Sequence, residues 1–341
     1  MCIIPSLLGS PYNPKCIADV ITKSSFFLTC TATYITFWVM NRLSTERRAQ
    51  ILSMMVEGVS LRAISRLTGA GKNTLARLLG EFGSVCAAYH NHAVRNVRVR
   101  RLQCDEVWSF VGAKAKNTTP EKKAEGWGDT WTWTAIDADS KLCLSYLVGG
   151  RDLGWAKEFM EDCASRIRGR VQVTTDGHKA YLEAVEGAFG MDVDYAQLQK
   201  IYGAPSDEET RRYSPARCIG SDMKVVSGNP DPKHISTSYV ERQNLSMRMG
   251  MRRFTRLTNG FSKKIDNHIA AVAIYFMHYN FCRVHQTLRI TPAMEAGITD
   301  HIWSAEEVCG LAPVAMSPCR RTEKIMVAKA LGENMENRHE A

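Results

Sequence analysis

The chain has 341 residues, of which 45% are hydrophobic and 23% are charged, a balance typical of a soluble globular protein with two or three domains. Its formal net charge of +9 favours an anionic partner, and nucleic acid is the commonest such partner. None of the 11 cysteines forms a C-x-x-C pair, which excludes a zinc ribbon or zinc finger. The scattered, odd number of cysteines predicts free thiols in a reducing compartment, so we expect a cytoplasmic protein.

Residues 1–40 form an atypical N-terminal extension. The uncharged run Phe26–Met40 is too short for a confident membrane span, and no small-residue cleavage site follows it. We therefore predict that Met40 is the true start, that the extension is not part of the fold, and that the protein has no membrane partner. A membrane anchor or a poorly formed signal peptide is the alternative.

Residues 41–83 have the pattern of a helix-turn-helix domain. Apolar residues recur at helical spacing in two short segments, Ser60 is a candidate N-cap of the second, and Gly69–Gly71 form a turn before a third helix. The start of that helix carries polar residues suited to phosphates and base edges. These candidate DNA-binding residues are Lys72, Asn73, Thr74 and Arg77. A small helical bundle that contacts protein is the alternative.

Residues 84–100 are predicted to be a basic connector, whose arginines suit either a solvated face or a phosphate track. Residues 101–300 then alternate between strand and helix patterns, including a short buried strand at Val171–Thr175, and residues 301–341 are predicted to be a C-terminal segment with a charged, disordered tail. The order of three strands, helix, strand, helix, strand and further helices predicts an α/β fold of the ribonuclease-H-like type. Residues 199–235, rich in Gly, Pro, Ser and Asp, are predicted to be a loop or insertion.

Three acids lie at strand or helix positions that this fold would bring together. In a ribonuclease-H-like fold the first and fourth strands are neighbours, so Asp105 within the first and Asp176 at the end of the fourth should lie close together. Glu241, on a later helix, could complete the cluster. Two Mg²⁺ ions, roughly 3.5–4 Å apart, can activate the attacking oxygen and stabilise the leaving oxygen in phosphodiester cleavage, and such ions prefer carboxylate ligands. Taken singly, each of these acids would be ordinary.

Three segments together resemble the acidic motifs of bacterial DDE-class insertion-sequence transposases, most closely the insertion-sequence-one family. They are Cys104–Gly112, Thr174–Tyr181 and Tyr239–Asn244. The resemblance covers residues 41–300. It implies a ribonuclease-H-like core, Asp105, Asp176 and Glu241 as catalytic metal ligands, and Mg²⁺, for which Mn²⁺ could substitute. It also implies binding to double-stranded DNA at the element ends and at the target, as a homo-oligomer associated with the bacterial nucleoid. Many relatives have a cysteine-rich zinc element before the helix-turn-helix, which this chain lacks.

The segment after Glu241 independently favours DNA contact. Residues 242–264 contain seven basic residues and no acid. Four of them are candidate DNA-binding residues: Arg242, Arg248, Arg252 and Arg253. An opposite, buried face is predicted for Val240, Met247, Met251 and Phe254.

Three other functions fit parts of the pattern. A helix-turn-helix regulator without catalysis would not need the acids, and a ribonuclease-H-like nuclease or resolvase would use the same site without joining strands. A decayed element would bind DNA but no longer cut it.

Overall fold

The computed structural model describes residues 43–203, 218–255 and 258–311. The chain divides into two units, Met1–Arg47 and Arg48–Ala341. The first unit includes only residues 43–47 of the described part, so nearly all of the helices and strands belong to the second. The predictions for the extension 1–40 and the charged tail lie outside the described residues. No helix in the described ranges is both long and apolar enough to cross a membrane.

The described residues form a mixed α/β structure. Its helices are α1 (Thr45–Val56), α2 (Leu61–Thr68), α3 (Lys72–Ala93), α4 (Pro120–Ala124), α5 (Leu153–Arg166), α6 (Ala180–Phe189), α7 (Ser238–Gly250), α8 (Ile265–Met277), α9 (Pro292–Glu295) and α10 (Ala305–Gly310). Its strands are β1 (Arg101–Val111), β2 (Gly128–Asp137), β3 (Cys143–Gly149), β4 (Val171–Thr175), β5 (Val193–Tyr202) and β6 (Cys218–Ser227).

Local sequence signals set the ends of the first helices. The Ser60 hydroxyl accepts a hydrogen bond from the Ala63 N–H and so caps α2, as predicted. Gly69 ends α2 at φ 70°, a left-handed conformation that glycine adopts without strain. The buried residues Ile51, Ile64 and Leu75 mark the apolar faces of α1, α2 and α3, because helical spacing places apolar residues on a common face.

The six strands form one sheet in the order β3-β2-β1-β4-β5-β6. Strand β1 is antiparallel to β2 and parallel to β4, so the first and fourth strands are neighbours, as predicted. The β1–β4 pairing runs from Arg101↔Gln172 to Cys104↔Thr175 and stops there. Strand β1 continues seven residues farther, and among the described residues no strand pairs with it on the β4 side until Val111 forms a parallel bridge with Ser262.

Helices α5 and α6 pack on one face of the sheet, and α7 packs against β1 and β2 on the other. Strand alternation explains this, because successive side chains of β1 point to opposite faces. Thus Asn244 of α7 binds Asp105, whereas the neighbouring Glu106 interacts with Tyr181 of α6.

Two of the segment predictions were wrong. Residues 199–235 are not simply a loop, because they contain the end of β5 and the whole of β6. All ten residues of β6 are exposed, so this edge strand has no core-facing alternation that the sequence could reveal, and its backbone pairing with β5 defines it. Residues 84–93, predicted as connector, are the second half of α3.

Helix α3 extends beyond Gly83 because that glycine is a packing position and not a helix end. A Cβ atom at Gly83 would lie 2.4 Å from the Cα of Ala270 on α8. The absence of a side chain therefore lets the two helices approach closely. Helix α8 itself ends at Met277, and a π-helical turn follows over His278–Cys282.

Candidate metal centre

Three carboxylates meet where β4 ends beside β1. Asp176 follows directly after Thr175, the last β4 residue, whose partner on β1 is Cys104. Asp105 and Glu106 are the next two residues of β1. One carboxylate oxygen from each of Asp105, Glu106 and Asp176 lies within 4.8 Å of the other two. Among the described residues, no strand pairs with β1 beside Asp105 and Glu106 once β4 has ended. Side chains from opposite faces of the sheet can therefore approach each other at this edge of β1.

Asp105 is fixed by neutral donors. The Glu106 N–H donates to Oδ1 at 2.8 Å, and Asn244 Nδ2 donates to Oδ2 at 2.8 Å. Burial raises the pKa of Asp105 to about 6, with a further contribution from the negative charge of Asp176. The two hydrogen bonds oppose this increase because they favour the ionised form.

Glu106 is a member of the cluster that the sequence pattern does not predict. Its side chain is only 1% exposed, and Arg151 Nε donates to its Oε2 at 3.2 Å. Its other oxygen, Oε1, is buried and makes no hydrogen bond of good geometry to any residue that the structure describes. Burial and then the charge of Asp176 raise the pKa of Glu106 to about 7, although Tyr181 and Arg151 act in the opposite direction. Its position next to Asp105 is visible in the sequence, but strand alternation predicts that it faces away.

Arg151 connects Glu106 with Asp176. Its Nη2 lies 3.9 Å from Asp176 Oδ2, and its guanidinium lies over the Trp131 ring, 4.5 Å from the ring centroid. Asp176 Oδ1 also accepts a hydrogen bond from the His178 N–H at 3.0 Å. Burial, followed by the positive charge of Arg151, lowers the pKa of His178. Neither Arg151 nor His178 was a predicted site residue.

Glu241, the third predicted acid, is not among the three clustered carboxylates. Its Oε2 forms an ion pair with Lys200 of β5, and its Oε1 accepts a hydrogen bond from Thr237 at 2.6 Å. Its negative charge nevertheless contributes to raising the pKa of Asp105, so it belongs to the same electrostatic environment. The prediction that all three acids share metal ions therefore stays a prediction.

The polar start of α3 is accessible. Lys72, Asn73 and Arg77 are exposed, whereas Thr74 is half-buried. Arg77 lies 3.6 Å from Glu81 one turn later. These residues therefore present two positive charges and an amide on one end of α3, and their contact with DNA stays a prediction.

The arginines around the end of α7 are not equivalent. Arg242 and Arg252 are exposed, and Arg248 is half-buried. The guanidinium of Arg253 points inward and donates to the Ser262 hydroxyl. Burial lowers the pKa of Arg253 to about 10, so its position fits a structural role better than the predicted surface contact. The predicted buried face is confirmed for Val240, Met247, Met251 and Phe254.

The donor set of the cluster fits a hard divalent cation. It consists only of carboxylate oxygens, the ligands that Mg²⁺ and Mn²⁺ prefer. Glu106 Oε1 accepts no well-formed hydrogen bond from the described residues, so it is an acceptor that a cation could satisfy. Three carboxylates this close repel one another, and the raised pKa values of Asp105 and Glu106 reflect that repulsion together with burial. Two divalent ions in such a site would supply activation of an attacking oxygen and stabilisation of a leaving oxygen.

No protein-family profile and no curated protein sequence matches the chain. Among solved structures, the cryo-EM structure of the piggyBac transposase synaptic complex with hairpin DNA aligns with a TM-score of 0.33 and 10% identity, over 82% of this chain and 71% of that chain. Similarity at this level does not establish a shared fold. Any function assigned to the chain therefore rests on its own residues and their geometry.

Proposed function

We propose that the chain is a DNA transposase, which binds the terminal inverted repeats of an insertion sequence and catalyses metal-dependent strand cleavage and strand transfer. The observation that carries this proposal is that carboxylate oxygens of Asp105, Glu106 and Asp176 lie within 4.8 Å of one another at the edge of β1 where β4 ends. Mg²⁺ is the proposed cofactor, and Mn²⁺ could replace it.

The strand order supports a ribonuclease-H-like core. A meander of three antiparallel strands leads into β4, which is parallel to β1, and β5 continues the sheet in parallel with β4. This arrangement places the end of β4 next to the middle of β1. Asp105, Asp176 and Glu241 are the proposed catalytic metal ligands, with Glu241 approaching from α7 above β1.

Helices α1 to α3 are the proposed DNA-recognition element. The tight turn around Gly69–Gly71 precedes α3, whose exposed first turns carry Lys72, Asn73 and Arg77. A helix of this kind can enter the major groove with its N-terminal residues facing base edges. Exposed Arg242 and Arg252, on and just after the helix that carries Glu241, would contact phosphates near the reacting strand.

The proposed partners and location follow from the reaction. Pairing two element ends requires two DNA-binding units, which a homo-oligomer supplies on double-stranded DNA. A cytoplasmic, nucleoid-associated location would give access to both the element and its target.

The discriminating experiment separates binding from catalysis with Glu241→Gln. The substitution keeps the size of the side chain and removes its charge, and a site holding two divalent cations needs anionic ligands. We expect cleavage and strand transfer on a terminal-repeat substrate to be lost in Mg²⁺, while gel-shift affinity stays near that of the wild type. Glu186→Gln, at an exposed acid on α6, is the matched control and should retain all activities.

The outcome also decides between the alternative functions. Cleavage without joining by the wild type would favour a nuclease or resolvase. Repeat binding without cleavage in any divalent metal would favour a regulator or a decayed element. Full activity of Glu241→Gln would show that Glu241 is not the third acid.

A further inference from the structure

The acidic cluster contains a residue that the proposed catalytic triad does not explain. Glu106 is almost fully buried, yet one of its carboxylate oxygens lies within 4.8 Å of carboxylate oxygens of Asp105 and Asp176. A buried carboxylate is costly unless its oxygens are compensated by donors or cations. Of its two oxygens, Oε2 accepts a hydrogen bond from Arg151, whereas Oε1 accepts none of good geometry from the described part of the chain.

The hydroxyl of Tyr181 is the other buried polar group beside Glu106. It interacts with the Glu106 carboxylate and favours its ionised form, as a hydroxyl donor does, but within the described residues neither group makes a hydrogen bond of good geometry to the other. The charge of Glu106 is therefore only partly compensated, and with two further carboxylates close by the site suits a ligand with positive charge.

Arg151 supplies part of that positive charge from within the chain. It lies against Glu106 and Asp176 at the same time, with its guanidinium over Trp131. Its side chain is 39% exposed and comes from the segment between β3 and α5, so it is not enclosed by the core. A cation held from the solvent side can leave without disturbing the sheet.

Glu106 is better placed than Glu241 to be the third ligand of an ion between Asp105 and Asp176. Glu241 is already paired with Lys200 and hydrogen-bonded to Thr237. Glu106, by contrast, has an oxygen with no well-formed hydrogen bond within residues 43–203, 218–255 and 258–311, and it has a carboxylate oxygen within 4.8 Å of both aspartates.

We propose that Glu106 is a ligand of the divalent cation that Asp105 and Asp176 share, and that Arg151 occupies this position as a counter-cation until the metal displaces it. This inference rests on the metal dependence in the proposed function and extends it. The proposed metal role of Glu241 is then limited to the second ion, which would have to replace Lys200 as its counter-charge.

Mn²⁺ binding to the full chain without DNA tests the assignment, by isothermal titration calorimetry with electron paramagnetic resonance of free Mn²⁺ as a second readout. Because Glu106→Gln removes an anionic ligand and keeps the volume, we expect Mn²⁺ affinity at the tighter site to fall by roughly tenfold or more. Arg151→Gln should raise that affinity several-fold, because it removes the competing cation. Glu161→Gln, at an exposed acid on α5, is the matched control and should not change it.

The opposite signs keep the test decisive even if one variant folds poorly. If Glu106 only anchors Arg151, Glu106→Gln will lower the melting temperature, leave Mn²⁺ affinity unchanged or higher, and overturn the proposal. Weaker Mn²⁺ binding by Arg151→Gln would also overturn it. A wild type that binds no Mn²⁺ would instead refute the metal-dependent function itself, whereas equal binding by the wild type and Glu106→Gln would refute only this inference.

Discussion

Replacing Asp105 by Asn should stabilise the metal-free protein at pH 8 while removing its catalytic function. The folded protein raises the pKa of Asp105 from 3.8 to about 6. At about 1.4 kcal/mol for each pH unit, this increase corresponds to roughly 3 kcal/mol against the ionised carboxylate. Because Asp105 retains some exposure, we expect solvent screening to reduce the gain to about 1–2 kcal/mol, or a few degrees in melting temperature.

The amide can be accommodated without losing the local hydrogen bonds. Its oxygen can still accept from the Glu106 N–H, and its NH₂ group can donate to Asn244 if the Asn244 amide rotates by 180°. After that rotation the Asn244 NH₂ group would face the hydroxyl of Thr134, which can accept a hydrogen bond.

The pH dependence provides the sharper test. A carboxyl group whose pKa is raised on folding contributes stability below its unfolded pKa, and this stability is lost as the pH rises through the folded value. The advantage of Asp105→Asn should therefore be small near pH 4 and grow between pH 4 and 7. Thermal unfolding in EDTA at several pH values measures it, and saturating Mg²⁺ should reverse the order because only the wild type gains full metal binding.

Asp194→Asn is the control of opposite sign. The Arg170 guanidinium holds the pKa of Asp194 below its usual range, so this carboxylate stabilises the fold above that range. Its replacement should lower stability at pH 8 in EDTA. If Asp105→Asn is also less stable than the wild type under these conditions, the view of Asp105 as an electrostatically strained group is refuted.

Three further predictions concern packing and DNA contact. Gly83→Ala should destabilise the protein by about 1–3 kcal/mol because its Cβ would meet the α8 backbone. Gly80→Ala in the same helix has no described atom within 4 Å of its Cβ and should stabilise the protein by up to about 1 kcal/mol. Equal melting temperatures of the two variants would contradict the close α3–α8 packing. Arg77→Ala should weaken terminal-repeat binding by about 1–3 kcal/mol in a gel-shift assay if Arg77 reads a base, and an unchanged preference over unrelated DNA would refute that role. Arg252→Ala should weaken binding to all DNA sequences similarly and reduce the salt dependence of the affinity by about one counterion. Arg253→Ala should mainly lower the stability of the protein, because the Arg253 guanidinium binds Ser262. A purely DNA-binding defect in Arg253→Ala would contradict the inward position of this side chain.

Strong periodic or capping signals in the sequence were sufficient to predict parts of the fold. Strand β4 has the bounds that its apolar run predicts, and the N-cap of α2 and the turn at Gly69 follow from Ser60 and glycine chemistry, which act within a few residues. The adjacency of the first and fourth strands was also predictable, and it correctly brought Asp105 and Asp176 together. The helix cap and the turn depend on interactions between residues close together in the chain, and the adjacency of the first and fourth strands follows from the predicted fold type.

The remaining features depend on contacts between segments that are distant along the chain. Backbone pairing with β5 defines β6, and α3 extends past Gly83 because α8 needs the space that a side chain would occupy. Most importantly, the arrangement of the sheet brings Glu106 to the site. Strand alternation directs Glu106 and Asp105 to opposite faces, and they meet only because β4 stops beside them and leaves the flank of β1 open. Where a neighbouring strand ends is a property of the sheet, so no pattern within β1 could have revealed it.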